Sequence, residues 1–309
     1  MSLELFKKAE SKCQDILQVI YLQDLYIKRG ELLKITNDIL KSALDNQSVF
    51  SIGYPVCISL NNELEFFCDY NDETVLKSSD LIKIEFSLSF EIKKKVYYFT
   101  FGRTIHDKLT DKIHKDLIKL FNNSLLEQED DVENYTLTND EIQLRICEIY
   151  LKRKVYSTLN ATSYSQINGV LNDPDSKYIK INYKRGDDSF KENYCFDLEN
   201  NDVYSLNLFF TKNDIDENPK IKYTHLHCLN NQYVSLKLKM QKQSFYTLSK
   251  QYTHNLFNST NLPKDVKDYG FRSLIDTGVL NNFPCTTLKE PVYMIKTMLL
   301  VKNDKLYLF

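Results

Sequence analysis

The feature that most constrains this chain is an order of segments that comes round twice. From Leu3 to Leu44 apolar residues recur at three- or four-residue spacing (Leu5, Ala9, Cys13, Leu17, Ile20), which predicts helix, and Gly30 is expected to break the stretch into two helices. From Phe50 to Phe101 the signal turns to strand. VFSIGYPVCISL, LEFFCDY, LIKIEFSLSF and VYYFTF are β-branched or aromatic and bounded by Asn, Asp and Ser, with a connection over Asp72–Asp80. Helix returns over Thr104–Leu126, with Ile105, Leu109, Ile113, Leu117 and Leu120 on one face. The acidic run EQEDDVEN (127–134) reads as a solvated turn, and a capping box at Thr138 and Glu141 opens a helix that runs to Lys154. The second half repeats the order. Strands are expected at Tyr178–Tyr183, Asn193–Phe196, Asp202–Phe210 and Tyr233–Met240, helices at Gln243–Phe257 and Lys264–Thr277, and a closing strand pair at Val292–Val301 and Lys305–Phe309. Strand sets alternating with helix pairs imply an α+β fold with internal duplication.

Bulk properties remove several function classes. A chain of 309 residues, 42% hydrophobic, can bury a sizeable core. Its formal charge of -2 gives no global basic field, so any nucleic-acid contact must use local patches. The seven cysteines (13, 57, 68, 147, 195, 228, 285) are odd in number and form no CxxC pair, which fits reduced thiols in a cytosolic or nuclear protein. The start, MSLELFKKAESKC, does not read as a signal peptide, and no apolar run approaches the ~18 residues of a membrane span. GxSxG, GxxxxGK[ST], HExxH and GxGxxG are all absent.

His225 and His227 in THLHC share one face if the segment is a strand, beside Cys228. No carboxylate or further Cys accompanies them at ligand spacing, so a partly exposed strand pair is expected instead of zinc. His106, His114 and His254 fall in helical patterns, the first two on exposed faces. Three basic patches stand out: Lys93, Lys94 and Lys95 at a hairpin; Lys152, Arg153 and Lys154 at a helix end; and Lys237, Lys239 and Lys242, of which the first two would share a strand face. Each Lys on a phosphate would release counterions, whereas the patch at 152–154 is also what a helix dipole favours.

Several phrases, in order, resemble one family. YPVCISLNN and LKSSDLIKIEFSL are similar to the "FPxxISVNN" and "LxxGDLVKIDLG" phrases of methionine aminopeptidase-like proteins. ATSYSQINGVLNDPD (161–175), DLENNDVYSLNLFF (197–210), YVSLKLKMQKQSFYTLSKQY (233–252) and PVYMIKTMLLV (291–301) resemble later segments of that family, the third being like the start of its type II helical insert. The likeness is greatest to the non-peptidase branch, the proliferation-associated or ErbB-binding proteins and the nuclear export factor of the large ribosomal subunit.

The resemblance implies the α+β pita-bread fold, two pseudo-symmetric halves with helices packed on antiparallel sheets. One domain would span 1–309, with N-terminal helices at 1–46, the first half and start of the second at 47–232, the insert at 233–290 and closing strands at 291–309. The active peptidases hold two divalent metals between two Asp, one His and two Glu, because only anionic or imidazole ligands can neutralise such a pair. Carried over one at a time, the first Asp falls at Glu85 and the second, eleven positions on, at Val96. The His falls at Tyr164, the first Glu at Asn207 and the second at Ile295. One carboxylate of five remains, and Lys296, if turned inward, would repel metal further.

The resemblance therefore implies a catalytically inactive homologue without metal or cofactor, cytoplasmic with a nuclear location also open. It would bind the large ribosomal subunit near the peptide exit tunnel, touching rRNA and proteins, with neither membrane nor DNA as partner. Roles in ribosome biogenesis, translation control or ribosome silencing all remain open, as does oligomeric state. The chain departs from the branch in ending at KNDKLYLF, where relatives carry a Lys-rich tail. Two alternatives compete: a metal-dependent methionine aminopeptidase with a remodelled site, and a peptide-binding module using the empty cleft.

Overall fold

A computed structural model describes residues 3–44, 49–123, 138–158, 162–165, 178–181, 196–215, 218–230, 235–252, 255–262, 266, 269–303 and 305–309. The acidic run at 127–134, His254, Cys195 and the strand expected at 193–195 lie outside them.

Two helices open the chain, α1 (Leu3–Tyr21) and α2 (Arg29–Leu44). The buried face of α1 is Phe6, Ala9, Cys13, Ile16, Leu17 and Ile20, one helical stripe. Leu5 lies beside it, half-buried. Gly30 does not break the helices; the break precedes it, and Gly30 sits in the first turn of α2. A Cβ there would meet the Tyr70 carbonyl oxygen at 2.7 Å, so the glycine lets α2 dock on the loop after β1.

The main sheet begins with a meander, β1 (Ser51–Leu60), β2 (Ile82–Ile92) and β3 (Lys95–Thr104). Helices α3 (Lys108–Asn123) and α4 (Asn139–Arg153) follow. Thr104 and Ile105 do not join α3, because β3 continues to Thr104. Its buried face is Ile113, Leu117 and Phe121, with Leu120 half-buried. Thr138 caps α4, its hydroxyl accepting from the Glu141 N–H.

Short strands β4 (Tyr156–Ser157), β5 (Thr162–Ser165) and β6 (Tyr178–Lys180) lead to β7 (Val203–Thr211). A second sheet then departs: β8 (Lys220–Leu229), α5 (Lys239–Tyr252), β9 (Phe257–Asn258), α6 (Tyr269–Asp276) and β10 (Leu280–Thr287). The chain returns as β11 (Tyr293–Lys302) and β12 (Lys305–Leu308).

Among the described residues the main sheet runs β1-β2-β3-β11-β7-β5-β6, with β12 on β11 and β4 on β7; the small sheet runs β10-β8-β9. The duplication is visible as a helix pair followed by main-sheet strands, taken twice: α1 and α2 before β1 to β3, then α3 and α4 before β4 to β7, with β11 inserted as the seam between β3 and β7. Helices α1 and α2 cover the first half, and α3 and α4 the second. This is the α+β pita-bread arrangement.

Three further expectations change. LEFFCDY is not a strand but a loop that folds back over the sheet, where Phe66 takes φ 61°. The described part of Tyr233–Met240 is not a strand either: it runs from Ser235 into α5, which starts at Lys239. The small sheet begins at Lys220, ahead of the residue 233 at which the insert was expected to start, and its β10 was not foreseen.

Candidate functional site

The face of the main sheet turned away from the helices carries a buried polar row beside a small apolar cluster of Leu64, Phe209, Leu288, Val292 and Met294, and β2 shows where the polar row comes from. Ile82, Ile84, Phe86, Leu88 and Phe90 alternate with Lys83, Glu85, Ser87 and Ser89, and all nine are buried. Period two sends the apolar set to the helices and the polar set to the opposite face. Register then fixes what stands beside Glu85. It pairs with Cys57 on β1 and Gly102 on β3; Gly102 pairs with Lys296 on β11; Lys296 pairs with Asn207 on β7; Asn207 pairs with Thr162 on β5. One row thus crosses the sheet from β1 to β5 through its middle.

At the centre of that row lies an ion cluster. Lys296 Nζ donates to Glu85 Oε2 at 2.5 Å and also to Glu65 Oε2. Lys296 and Glu85 are each 1% exposed. Glu65 arrives from the loop after β1, and its neighbour Phe66 donates its backbone N–H to Glu85 Oε1 at 2.6 Å. The ammonium lies 4.2 Å from the Phe66 ring centroid and 5.7 Å from that of Phe209. Burial alone would lower the Lys296 pKa, but Glu65 and Glu85 more than offset it and hold the ammonium charged. Burial pushes the Glu65 carboxyl up, against the pull of Lys296.

The loop that delivers Glu65 is pinned at both ends. Glu63, 3% exposed, accepts from Arg29 Nη1 at 2.6 Å, from the Leu60 N–H at 2.7 Å and from Lys222 Nζ at 3.2 Å. Arg29 also pairs with Asp72 and lies 3.3 Å above the Phe67 ring. Leu64 N–H bonds to Thr286 O at 2.8 Å, Ile58 N–H to Phe67 O at 2.9 Å, and the Asn62 amide to Leu288 O at 2.6 Å. Phe66 packs edge-on to Phe283 of β10, which joins the loop to the small sheet. The chain's own loop therefore covers the Lys296–Glu85 part of the polar face.

The five expected ligand positions separate. Glu85 and Asn207 belong to the row. Tyr164 pairs with Ser205 on β7, two residues along from the Thr162–Asn207 pair. Val96 does not belong: it pairs with Glu91 beside the hairpin turn, and Gly102 stands opposite Glu85 instead. The count of eleven fails because β2 and β3 extend further before they turn at Lys93 and Lys94. Ile295 does not belong either, since it packs in the core under α3 and α4 while its neighbour Lys296 faces the row. Glu65 and Gly102 were missed; Glu65 lies in the segment read as a strand, and Gly102 carries no side chain to mark it.

A dinuclear metal pair does not fit this row. Two carboxylates meet there, but a lysine ammonium already stands between them. Opposite, Gly102 offers no ligand, and a Cβ added to it would come within 3.0 Å of the Lys296 Cβ. Among the described residues no group of three or more His, Cys, Asp and Glu comes together as a metal site. His227 is buried, not partly exposed, and its Nδ1 bonds the Asn282 side chain at 2.9 Å. His225 is half-buried between Phe67 and Tyr223. His106 is exposed but lies in a turn with φ 56°, outside any helix. His114 is on α3 yet not on an open face: it bonds Arg103 at 2.9 Å, and burial, then the Arg103 charge, push its pKa down to about 2.

The basic patches stay apart from the row. Lys93, Lys94 and Lys95 are exposed at the β2–β3 turn. Lys152 and Lys154 are exposed at the end of α4, while Arg153 is tied to Asp116 at 2.6 Å. Lys237 and Lys239 do not share a strand face. Lys237 precedes α5, and Lys239 and Lys242, three apart, lie side by side on it. Leu238, Met240 and Tyr246 are exposed in the same stretch. A groove of about 730 Å³ lies elsewhere, between α2, the start of β1 and the end of α5, and includes Asn37, Lys41, Phe50, Tyr70 and Tyr252. The six described cysteines are free, and no helix among the described residues is long and apolar enough to cross a membrane.

No protein-family model matches the chain, and no curated protein sequence does. Solved structures do. A thermophilic Arx1 superposes with a TM-score of 0.75 at 14% identity, covering 99% of this chain and 91% of the other. Methionine aminopeptidase from Thermotoga maritima gives 0.56 at 8% identity over 100% and 97%, and that from Rickettsia prowazekii 0.54 at 12% over 98% and 94%. Likeness at such low identity is a likeness of fold, and it extends over almost the whole of each chain.

Proposed function

We propose that this chain is a catalytically inactive aminopeptidase homologue that binds the large ribosomal subunit near the peptide exit and acts in ribosome biogenesis, translation control or ribosome silencing. The observation that carries the proposal is the buried lysine between Glu65 and Glu85. A hydrolytic site of this fold needs anionic ligands around two metal ions and an open path for peptide. Here a tethered cation and the Glu65–Phe66 loop stand on the same face instead. The extended likeness to Arx1 and the phrases shared with the non-peptidase branch supply the ribosomal part of the reading. With Lys296 and Glu85 covered by the Glu65–Phe66 loop, contacts fall to the surface.

The patch around α5 is the best furnished for RNA. Lys237, Lys239 and Lys242 offer charge to phosphates, and exposed Tyr246, Leu238 and Met240 offer contact area beside them. The turn Lys93–Lys95 and the pair Lys152 and Lys154 are secondary sites, and Arg153, already paired, contributes least. The peptide-binding alternative loses support at Lys296 and Glu85 because the chain's own loop lies over them.

Sedimentation tests the proposal. Purified protein mixed with ribosomes in low salt is expected to travel with the large subunit through a sucrose gradient. Protein that stays at the top under those conditions overturns it. A Met-peptide cleavage assay separates the remodelled-enzyme alternative, for which turnover is required.

A further inference from the structure

Glu65 and Glu85 converge on one buried point from different parts of the chain, a loop and a strand. Glu85 is removed from water and Glu65 largely so, with 17% of its side chain exposed, and two such carboxylates side by side need a cation with them. In metallopeptidases of this fold that cation is a divalent metal; here it is an ammonium on a side chain. Three features show that the place is fitted to it. Gly102, opposite Lys296, leaves the room that the lysine stem fills, since a Cβ there would crowd both Lys296 and the Met294 methyl at 3.0 Å. The aromatic faces of Phe66 and Phe209 flank the ammonium. Phe66 also holds a left-handed backbone, uncommon outside glycine, and that conformation aims its N–H at Glu85 while Glu65 reaches Lys296.

We propose that the Lys296 ammonium is a tethered substitute for a divalent cation, and that Glu65 and Glu85 form a latent divalent-cation site that opens when Lys296 is removed. The inference rests on the non-catalytic reading of this face. An ion at that point takes oxygen from both carboxylates, and Asn207, beside Lys296 in register, stands in the same row. The native chain, already compensated, has no use for the ion.

The test uses the full chain with Mn²⁺ as probe, read by the electron paramagnetic resonance of free Mn²⁺ and by thermal unfolding. Native protein is expected to bind no Mn²⁺, and its melting temperature to be the same in Mn²⁺ and in chelator. Lys296→Ala is expected to melt about 5–10 °C lower in chelator, to recover part of that loss in Mn²⁺ and to bind one ion per chain. Adding Glu65→Gln to that variant should abolish both binding and recovery. A folded Lys296→Ala chain that binds no Mn²⁺ overturns the inference and leaves the non-catalytic reading standing. Mn²⁺ bound by the native chain with peptide turnover overturns both. If neither Lys296→Ala nor the isosteric Lys296→Met folds in chelator, the triple variant Glu65→Gln/Glu85→Gln/Lys296→Met decides. Recovered folding supports the charge account, and continued failure overturns it.

Discussion

Two lysines on the same polar face make an instructive pair. Lys296 and Lys83 are both buried, 1% and 0% exposed, in neighbouring parts of one sheet. Lys296 meets two carboxylates and is held charged. Lys83 donates to a neutral group, the Asn61 carbonyl, at 2.9 Å; burial outweighs the pull of Glu63 and lowers its pKa to about 7. Equal burial thus gives opposite outcomes, and pairing decides which. Lys296 is costly to remove because of what it leaves behind, whereas Lys83 is costly to keep.

The same substitution at both sites tests this. Lys296→Met leaves Glu65 and Glu85 without their cation and is expected to lose about 3–5 kcal/mol in denaturant unfolding. Lys83→Met removes a charge that costs on the order of 4 kcal/mol to bury at neutral pH, less the lost hydrogen bond. A net gain of about 1–3 kcal/mol is expected. Destabilisation by both substitutions would break the comparison. Acidity sharpens it further. The folded Lys83 pKa lies below the unfolded one, so the native chain carries its penalty in full below about 7 and sheds it as pH rises toward 10.5. The advantage of Lys83→Met should therefore shrink between those limits.

His114 extends the comparison to an imidazole beside a cation. Its folded pKa, near 2, lies below the ordinary 6.5, so the native chain stays neutral there while the unfolded chain takes up a proton. Stability is expected to fall by roughly 1.4 kcal/mol per pH unit below 6.5, a slope that His114→Gln should remove. The smallest effect concerns exposed lysines, for which no ion pair is seen among the described residues. Replacing Lys237, Lys239 and Lys242 with Ala should leave melting unchanged. It should reduce the salt slope of ribosome binding by about 0.7–0.9 for each lysine that meets a phosphate.

How far the sequence could be read follows the range of the interactions. Strands β1 to β3 and the Thr138 cap depend on neighbours in the chain, and their patterns announced them. LEFFCDY has the composition of a strand, but its own ties to Thr286 and Glu85, and that of the adjoining Asn62 to Leu288, far along the chain or across the sheet, draw it into a loop. The phrase match points to Ile295, whereas the residue that faces the row is its neighbour Lys296, and in a strand one residue reverses the face. Val96 failed because distance along a hairpin depends on where it turns. The link between Glu65 and Lys296 spans 231 residues and no local pattern contains it. Lys237 and Lys239 alternate like a strand, yet the helix begins between them.

The seam strand carries a kinetic consequence. Because β11 lies between β3 and β7, the halves of the main sheet have no shared ladder until residues near 293–302 have been made. Contacts of such long sequence separation close slowly, and an emerging chain exposes the open edges of β3 and β7 meanwhile. Refolding should accordingly show early formation of the two flanking units and a late, slower step in which strand β11 zips them together.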